Sequence, residues 1–492
     1  MSNGALPDYL SMAKPNPPAN RAPWYKNTAP TYAGIFLWFV FWSQAPSGGG
    51  ASPGGALSQG VGVALLGLVI AALLCHFLFY VVPGMLGMKT GLPLYIVGTS
   101  TYGAQGGFLM PGFLMGVLQF GWLGVNAYFA SLALAPLFGG STAAQQVIAV
   151  LWAILAAFVG LKGIQYVAKV ATFLPLIPVA ILVILLAKTI GGLGDFDAQA
   201  FVAAGTAPDA AEAAGGLSLF GVIALCISFV VGFFATAGAA GVDFGTNSID
   251  GKDVQMGGIV GIAGATIVAA GAAILIAAGA FGGTGTYAVN PADPGFMGSV
   301  MGSEGAGKTM ALLLAVAAFP PACFSSFIAA NSFKTTLPKV NPFISVGVGA
   351  VVSIILAVTG WAGKAGDVFT VIGASFGPIC GAMMVDYLLA GKKWAGPRKG
   401  WNLAGWISWA VGFVVGIAPL VKIADIPAAP LVAFIVGAVV YFVLAKAGME
   451  PAVLAMPALE SKAPGEIAEA PAAAQAEVTQ ETLDGSDEKK EG

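Results

Sequence analysis

Apolar stretches long enough to cross a bilayer as a helix, roughly 20 residues each, recur along the chain between short polar segments. This pattern predicts an all-α, polytopic membrane protein with about twelve transmembrane helices. We number the predicted helices 1–12 in chain order, at 30–58 (interrupted), 61–84, 108–137, 144–160, 165–188, 217–241, 256–281, 308–333, 342–360, 365–390, 401–419 and 427–447.

Composition excludes a soluble protein of several domains. Only 9% of the 492 residues are charged, whereas soluble domains carry about 25% charged residues. The sequence has no basic patch or stripe, which excludes nucleic acid as a partner. The four cysteines fall in apolar stretches and match no zinc or redox spacing. We therefore expect the lipid bilayer and a small-molecule substrate as partners, while the oligomeric state stays open.

The distribution of lysine and arginine orients the predicted helices. With the N-terminus inside, every inner loop carries a positive residue, as the positive-inside rule requires. These residues are Lys89, Lys162, Lys169, Lys252, Lys334, Lys339, Lys392, Lys393, Arg398 and Lys399. Because the number of helices is even, we expect both termini in the cytoplasm and the protein in the inner membrane. Segment 1–28 is the predicted N-terminal segment, and the acidic tail 458–492 is predicted to be disordered.

Two of the predicted helices contain runs that disfavour a continuous helix. In helix 1 the run from Ser43 to Gly55 is rich in glycine and proline. In helix 6 the run from Gly232 to Gly241 consists mainly of small residues and could unwind, although glycines also serve close helix packing. Interrupted helices at matching places in two halves of a chain are typical of inverted-repeat transporters with a site near the midplane.

One phosphate-binding pattern is present but is rejected. Residues Gly302 to Thr309 fit G-x-x-x-x-G-K-[ST]. A phosphate-binding loop needs a preceding strand and a surrounding βαβ core. Here the pattern lies in a predicted outer loop between two membrane helices, so we do not expect a nucleotide site.

Four segments resemble the nucleobase:cation symporter-1 family, the group of purine–cytosine permeases and hydantoin transporters. The segments are Gly121-Trp122-Leu123-Gly124-Val125-Asn126 in helix 3, Gly232-Phe233-Phe234-Ala235-Thr236 with Val242-Asp243-Phe244 in helix 6, Phe324-Ser325-Ser326-Phe327-Ile328-Ala329-Ala330-Asn331 in helix 8, and Gly377-Pro378 with Met384-Val385-Asp386-Tyr387 in helix 10. The resemblance implies two inverted five-helix repeats of the LeuT type, at 29–190 and 217–390, followed by two further helices at 400–447.

Helix 3 carries the first candidate substrate-binding residues. Gln119, Trp122 and Asn126 share one helix face. An indole offers a flat stacking surface, and amides offer paired donors and acceptors to the edge of a nucleobase. The alternative is that these amides only bond helices together. By resemblance, Trp122 stacks on the substrate, Asn126 bonds it and Phe234 supplies a second ring.

Asn331 of helix 8 matches another substrate-bonding position of the family. Its alternative interpretation is a residue near the inner end of the helix, because Lys334 follows within one turn.

Helix 8 also carries a candidate sodium site. Ala322, Ser325 and Ser326 lie on one helix face, and a sodium ion requires several oxygen ligands. The resemblance implies ligation by the Ala322 carbonyl and the two serine hydroxyls, with the carbonyls of Phe41 and Gln44 in helix 1. The alternative for each serine is a hydrogen bond to its own helix.

The sequence departs from the family pattern in two places. The segment from Gly98 to Gly103 lacks the family's arginine, and Val242 stands where the family has proline. Neither departure affects the predicted fold, but both leave the substrate subgroup open.

Charged residues are absent from the middle of the predicted helices. This absence favours a neutral substrate and a sodium ion over proton coupling, because buried charges are the usual mark of proton relays. The single histidine, His76 in helix 2, could carry a proton, or it could be a buried histidine satisfied by a neighbour.

These observations predict a secondary transporter and not an enzyme. We expect sodium-coupled import of a neutral nucleobase or related heterocycle by alternating access, with sodium as the coupling ion and no other cofactor. The alternatives are an amino-acid permease of the same architecture, a channel, or a transporter-like sensor.

Overall fold

The computed structural model describes residues 6–46, 52–163, 166, 171, 173–206, 216–287 and 290–456. Within these ranges the chain is helical, apart from one isolated antiparallel bridge between Arg398 and Val453. The predicted disordered tail at 458–492 lies outside them. So do residues 47–51 of the glycine-rich run and most residues between 164 and 172 in the predicted helix 5.

Nine helices in the described part of the chain are long and apolar enough to span a bilayer. They are Val61–Thr90, Phe108–Phe138, Thr142–Lys162, Leu176–Asp195, Leu219–Ala239, Gly251–Thr284, Glu304–Thr336, Ala365–Leu389 and Ala429–Lys446. Two shorter apolar helices, Pro342–Val358 and Leu403–Ile417, form helices 9 and 11. With the broken helix 1, these helices confirm the predicted architecture of about twelve spans.

Short helices occupy several of the connections. They are Asp8–Ser11, Pro18–Asn20, Gly55–Gln59, Leu94–Val97, Thr99–Tyr102, Ala198–Gly205, Gly241–Gly245, Pro294–Met301 and Trp361–Gly363.

The described residues 45–46 and 52–54 of the glycine- and proline-rich run are not helical, as predicted, and helix 1 has a further break ahead of that run. The first part of helix 1 is Thr28–Phe36 and its second part is Phe39–Gln44. Between them Trp38 adopts an extended backbone with ψ of 124°. The second part ends at Gln44, inside the run predicted to be non-helical. The break itself contains neither glycine nor proline, so local propensity does not explain it.

Helix 6 is continuous from Leu219 to Ala239, and only Ala240 turns the chain before the short helix Gly241–Gly245. The predicted unwinding of the small-residue run is therefore wrong for most of its length. Its glycines serve packing instead. A Cβ on Gly232 would come within 2.8 Å of the Phe369 carbonyl oxygen on helix 10, and one on Gly238 within 2.9 Å of Phe79 on helix 2.

The phosphate-binding pattern folds as the start of helix 8. The hydroxyl of Ser303 caps this helix by accepting a hydrogen bond from the Ala306 amide. Residues 305–309 are helical, and Lys308 pairs with Glu304 one turn away. This stretch therefore has no glycine-rich loop that could cradle a phosphate, in agreement with the rejection of the pattern.

Both ends of the described chain meet on one face of the molecule, called the terminal face here. Tyr9 donates a hydrogen bond to the Ala104 carbonyl in the loop between helices 2 and 3. The Ala104 amide in turn donates to the carbonyl of Arg398 at 2.7 Å, and Arg398 bridges to Val453. An even number of spans requires this arrangement. Which compartment the face meets remains a prediction.

A buried ion cluster fixes the terminal face. The guanidinium of Arg398 lies 2.8 Å from the Asp386 carboxylate at the end of helix 10 and 2.9 Å from Glu450, which follows helix 12. The side chains of Arg398 and Asp386 are only 6% and 3% exposed. Asp386 also accepts hydrogen bonds from Ser100 and Thr101. Four segments that are distant in sequence are thus tied together.

Candidate substrate and cation site

Four aromatic rings from four helices meet beside the break in helix 1. We call Trp38, Trp122, Phe233 and Phe369 the aromatic cluster. The ring centroid of Trp122 lies 6.0 Å from that of Trp38, 5.1 Å from that of Phe233 and 5.5 Å from that of Phe369. Phe233 and Phe369 are 5.4 Å apart. These distances are typical of edge-to-face and tilted aromatic pairs, so the four rings pack against one another at steep angles and form one aromatic cluster between four helices.

The ring of helix 6 that meets Trp122 is Phe233 and not Phe234. Adjacent residues of a helix point about 100° apart, so only one of the two can face the cluster. Phe234 is fully buried and packs on Phe36 and Tyr32, with ring centroids 5.6 Å from each. The position predicted for Phe234 is therefore taken by Phe233, and Phe234 supports the first part of helix 1.

The indole N–H groups of the two tryptophans in the cluster differ in their hydrogen bonding. The Trp122 indole donates a hydrogen bond to the Thr236 hydroxyl at 3.2 Å. The Trp38 indole is 8% exposed, and its N–H has no hydrogen-bond partner among the described residues. Because an indole can only donate, Trp38 offers a donor for which the described residues supply no acceptor. Gln119 lies three residues before Trp122 on helix 3. It is buried, and its amide nitrogen lies 3.6 Å from the Met115 sulfur.

Asn126 joins three helices. Its amide nitrogen donates to the Ala318 carbonyl of helix 8 at 2.9 Å, and its oxygen accepts from the Trp152 indole of helix 4 at 2.8 Å. The side chain is 2% exposed. These contacts match the alternative interpretation of Asn126 as a bond between helices, and they leave its amide committed to the protein.

Asn331 lies far from the cluster along the helix axes. The residue is exposed, and its neighbour Ser332 donates to the Gly112 carbonyl of helix 3. Gly112 precedes Trp122 by ten residues, which is about 15 Å along a helix. The structure therefore places Asn331 toward the terminal face and does not bring it beside Trp122.

The three candidate sodium ligands of helix 8 have different surroundings. Ala322 is fully buried. The Ser325 hydroxyl donates to the Pro321 carbonyl of its own helix at 3.2 Å. Ser326 is 3% exposed, and its hydroxyl has no hydrogen-bond partner among the described residues. A buried hydroxyl without a partner is uncommon, so Ser326 is the strongest candidate ligand of the three.

The last turn of helix 1 before the break lies near the depth of Ser326. Helices 3 and 8 run antiparallel, since Asn126 bonds Ala318 and Gly112 bonds Ser332. Counting from the Asn126–Ala318 bond at 1.5 Å per residue, Ser326 is about 6 Å nearer the terminal face than Trp122. Trp38 contacts Trp122 and therefore lies at a similar depth. Helix 1 starts at the terminal face, so the residues before Trp38, 34–37, lie nearer that face and approach the depth of Ser326.

The predicted helix 1 ligands lie farther from that face. Phe41 and Gln44 are in the second part of helix 1, and Gln44 is six residues beyond Trp38, about 9 Å along a helix. The Phe41 ring packs on Phe36 and Phe233, with centroids 5.0 and 4.7 Å away. Residues 34–37 end a helix, but two of their carbonyls already have partners, since Ile35 accepts from the Trp38 amide at 3.4 Å and Leu37 from the Trp42 indole at 3.3 Å. In depth along the helix, Gly34 and Phe36 lie nearer to Ser326 than Phe41 and Gln44 do.

Sequence reasoning missed Trp38, Phe233 and Phe369 as members of the site. The aromatic residues themselves were visible in the sequence. Their convergence depends on the break in helix 1 and on the rotation of helices 6 and 10, for which no local signal exists.

The architecture is that of a multi-pass membrane protein with a LeuT-type transporter fold. Solved structures of this class are similar over nearly the whole chain. Mhp1, a nucleobase-cation-symport-1 family transporter, in a closed conformation with bromovinylhydantoin bound, has a TM-score of 0.61 and 16% identity, covering 93% of this chain and 96% of that chain.

Mhp1 in an inward-facing conformation has a TM-score of 0.60 and 17% identity, covering 89% of this chain and 94% of that chain. A Na+-coupled sialic acid symporter in a substrate-bound outward-open state has a TM-score of 0.56 and 14% identity, covering 91% and 93%. No protein-family model and no curated protein matches the chain. The resemblance predicted from four helices thus agrees with the comparison of folds.

Proposed function

We propose that this protein is a sodium-coupled symporter that imports a neutral nucleobase or related heterocycle by alternating access. The observation that carries the proposal is the aromatic cluster at the break in helix 1, together with the unpartnered hydroxyl of Ser326 about one helical turn nearer the terminal face. A substrate site and a cation site would then share the same broken helix, so that binding at one affects the other.

The chemistry of the cluster favours a flat, uncharged substrate. Trp38, Trp122, Phe233 and Phe369 present rings from four helices, and each ring pair with a substrate would contribute about 0.5–1.5 kcal/mol beyond its buried area. The free indole N–H of Trp38 favours a ring that carries an acceptor, such as a carbonyl oxygen or an unprotonated ring nitrogen. With Asn126 committed to two protein bonds, Trp38 replaces it as the proposed polar contact.

The chemistry around Ser326 favours a small hard cation. Hydroxyl and carbonyl oxygens are the ligands that such ions take. Ser326 and Ser325, the Ala322 carbonyl and the carbonyls of Gly34 and Phe36 could together supply them. Support for sodium in particular comes from the similar fold of a Na+-coupled symporter.

Uptake into proteoliposomes tests both parts of the proposal. The substrates are radiolabelled cytosine, uracil, a purine, allantoin, hydantoin and thiamine, supplied with an inward gradient of either sodium or choline. We expect sodium to stimulate uptake of at least one heterocycle. Ser326→Ala should raise the sodium concentration for half-maximal uptake about tenfold, equivalent to about 1.4 kcal/mol.

A matched control is Ser408→Ala. Ser408 is also a buried serine, but it bonds only the Gly405 carbonyl of its own helix 11 at 2.7 Å. It should leave the sodium dependence unchanged. Sodium-driven flux of amino acids in place of heterocycles would refute the substrate assignment. Heterocycle uptake at the same rate in sodium and in choline would refute the assignment of sodium as the coupling ion.

A further inference from the structure

His76 is the single histidine of the chain, and it lies at the middle of a membrane-spanning helix. Helix 2 runs for 30 residues from Val61 to Thr90, and its central segment Cys75–Tyr80 is a π-helix. The His76 side chain is 0% exposed. An ionisable residue at this depth is costly to bury and is commonly functional. Neither the aromatic cluster nor the proposed sodium site uses it.

A second π-helical segment faces the first. In helix 7, residues Ile259–Gly264 are also π-helical. Gly258, immediately before them, lies against His76 so closely that a Cβ there would collide with the imidazole Nδ1 and with the Tyr80 ring. Short π-helical segments inside α-helices frequently mark functional sites. Here two such segments enclose the same imidazole.

The polar atoms around the imidazole lack partners. Both ring nitrogens of His76 and the hydroxyl of Tyr80 are buried without a hydrogen-bond partner among the described residues. A neutral imidazole has one donor and one acceptor to satisfy. Gln255, one turn before Gly258 on helix 7, stands near the ring but does not complete a hydrogen bond in this conformation. Gln255 is therefore the one neighbour among the described residues that could satisfy His76, and the geometry described here leaves both ring nitrogens outside hydrogen-bond criteria.

The other ionisable groups near His76 are engaged elsewhere. Asp253 at the start of helix 7 accepts hydrogen bonds from the Trp24 and Ile249 amides, both at 3.2 Å. From helix 1, Tyr32 packs edge-on against Tyr80 at 5.2 Å and donates to the Ala237 carbonyl at 2.9 Å.

The remaining sides of the π-helical segment meet helices 6 and 12. Its Cys75 lies 3.8 Å from the Val230 carbonyl of helix 6, and its Phe79 packs on Phe434 of helix 12. In this conformation the imidazole is therefore next to polar groups but is paired with none of them.

We infer that His76 is a proton-binding site whose occupancy is linked to the packing of helix 2 on helix 7. A protonated imidazole carries a charge and two N–H donors, and both are costly to bury without partners. Proton binding therefore favours a conformation in which helix 7 moves away from helix 2, so that water, Gln255 or Asp253 reaches the ring. Lowering the pH shifts the protein away from the conformation described here.

The single histidine makes a direct test possible. The full-length protein, carrying a histidine-free affinity tag, is labelled with ¹³C,¹⁵N-histidine and placed in lipid nanodiscs, so that every histidine signal comes from His76. The pH is varied from about 5 to about 8.5, which brackets the usual histidine pKa of about 6.5. We expect the imidazole signals to change with pH. Signals that stay constant over the whole range would overturn the inference.

A distance measurement tests the link to helix movement. Spin labels on Leu66→Cys in helix 2 and Val268→Cys in helix 7 occupy exposed positions, whereas the four native cysteines are buried. We expect the distance distribution to broaden or shift at acidic pH. The matched variant His76→Gln keeps polar atoms but cannot take up a charge, so its distribution should not depend on pH.

If the distance distribution of His76→Gln changes with pH as that of the parent protein does, the movement depends on another group. If the distribution of the parent protein does not change with pH, proton binding at His76 is not linked to helix movement. Either result overturns the inference. If His76→Gln does not fold, His76→Asn takes its place, and the labelled-histidine measurement needs no substitution. Neither measurement requires a transported substrate, so the outcome is independent of the proposed function.

Discussion

Replacing Asn126 by alanine removes two hydrogen bonds between helices, one to the Ala318 carbonyl and one from the Trp152 indole. Hydrogen bonds between membrane helices contribute about 0.6 kcal/mol each on average and up to about 1.7 kcal/mol. We therefore expect Asn126→Ala to lower the free energy of unfolding by about 1–3 kcal/mol. Because the amide is committed to the protein, the dissociation constant for a transported heterocycle should change by less than about threefold, or 0.7 kcal/mol.

Two measurements on the same purified protein check this expectation. Unfolding in mixed micelles gives the stability, and equilibrium binding of the labelled heterocycle gives the dissociation constant. Trp152→Phe is the matched variant, since it removes only the indole N–H that bonds Asn126. In a double-mutant cycle the two substitutions should be coupled by about 0.6–1.7 kcal/mol. Unchanged stability together with binding weakened more than about tenfold would mean that the amide touches the substrate and that our reasoning is wrong.

Three further substitutions probe other parts of the molecule. Arg398→Met leaves Asp386 buried without its ion-pair partner and should destabilise the protein by about 3–5 kcal/mol, measured by the same unfolding assay. Adding Asp386→Leu should recover most of that loss, and no recovery would contradict the ion-pair account. Gly87→Ala places a Cβ against the Val242 carbonyl and should cost about 1–3 kcal/mol. An unfolding midpoint of Gly87→Ala equal to that of the wild type would show that helix 2 and the short helix Gly241–Gly245 can separate at this contact. Trp38→Phe keeps the ring but removes the N–H, so it should weaken heterocycle binding about three- to tenfold. Unchanged binding would exclude Trp38 as a donor to the substrate.

The number and order of the helices could be predicted because each helix carries its own signal. A run of apolar residues long enough to cross a bilayer must be helical, whatever surrounds it. The boundaries were less certain. Helix 7 begins at Gly251, because the polar segment from Gly251 to Gln255 extends it, and helix 2 continues to Thr90, past its predicted end at residue 84.

The break in helix 1 shows what a sequence does not contain. Glycine and proline between Ser43 and Gly55 predicted a break there, since these residues disfavour helix locally. The described residues 45–46 and 52–54 are indeed not helical, but helix 1 has an additional break at Leu37 and Trp38, two residues with no such tendency. Trp38 packs on Trp122 and Phe233, so tertiary contacts accompany the extended backbone. Contacts between distant helices leave no mark on the local sequence.

The choice between Phe233 and Phe234 had the same limit. The family pattern aligned Phe234 with a stacking ring, but one residue of shift turns a helix position by about 100°. Only the packing of helix 6 on helices 1 and 10 decides which ring faces Trp122. The buried state of Arg398 was also hidden, because its partners Asp386 and Glu450 are distant in sequence.

The pairing of the chain ahead of helix 11 with the chain that follows helix 12 has a practical consequence. Lys399 and Leu454 donate backbone hydrogen bonds to the carbonyls of Ala452 and Pro397, at 2.9 and 2.7 Å, and Glu450 is the second carboxylate paired with Arg398. A C-terminal reporter or purification tag joined before Glu450 would remove this pairing and leave a buried guanidinium short of one carboxylate. A fusion junction placed after Ala455 would keep it, so a comparison of the two junctions by expression yield would show how much residues 450–455 contribute to assembly in the membrane.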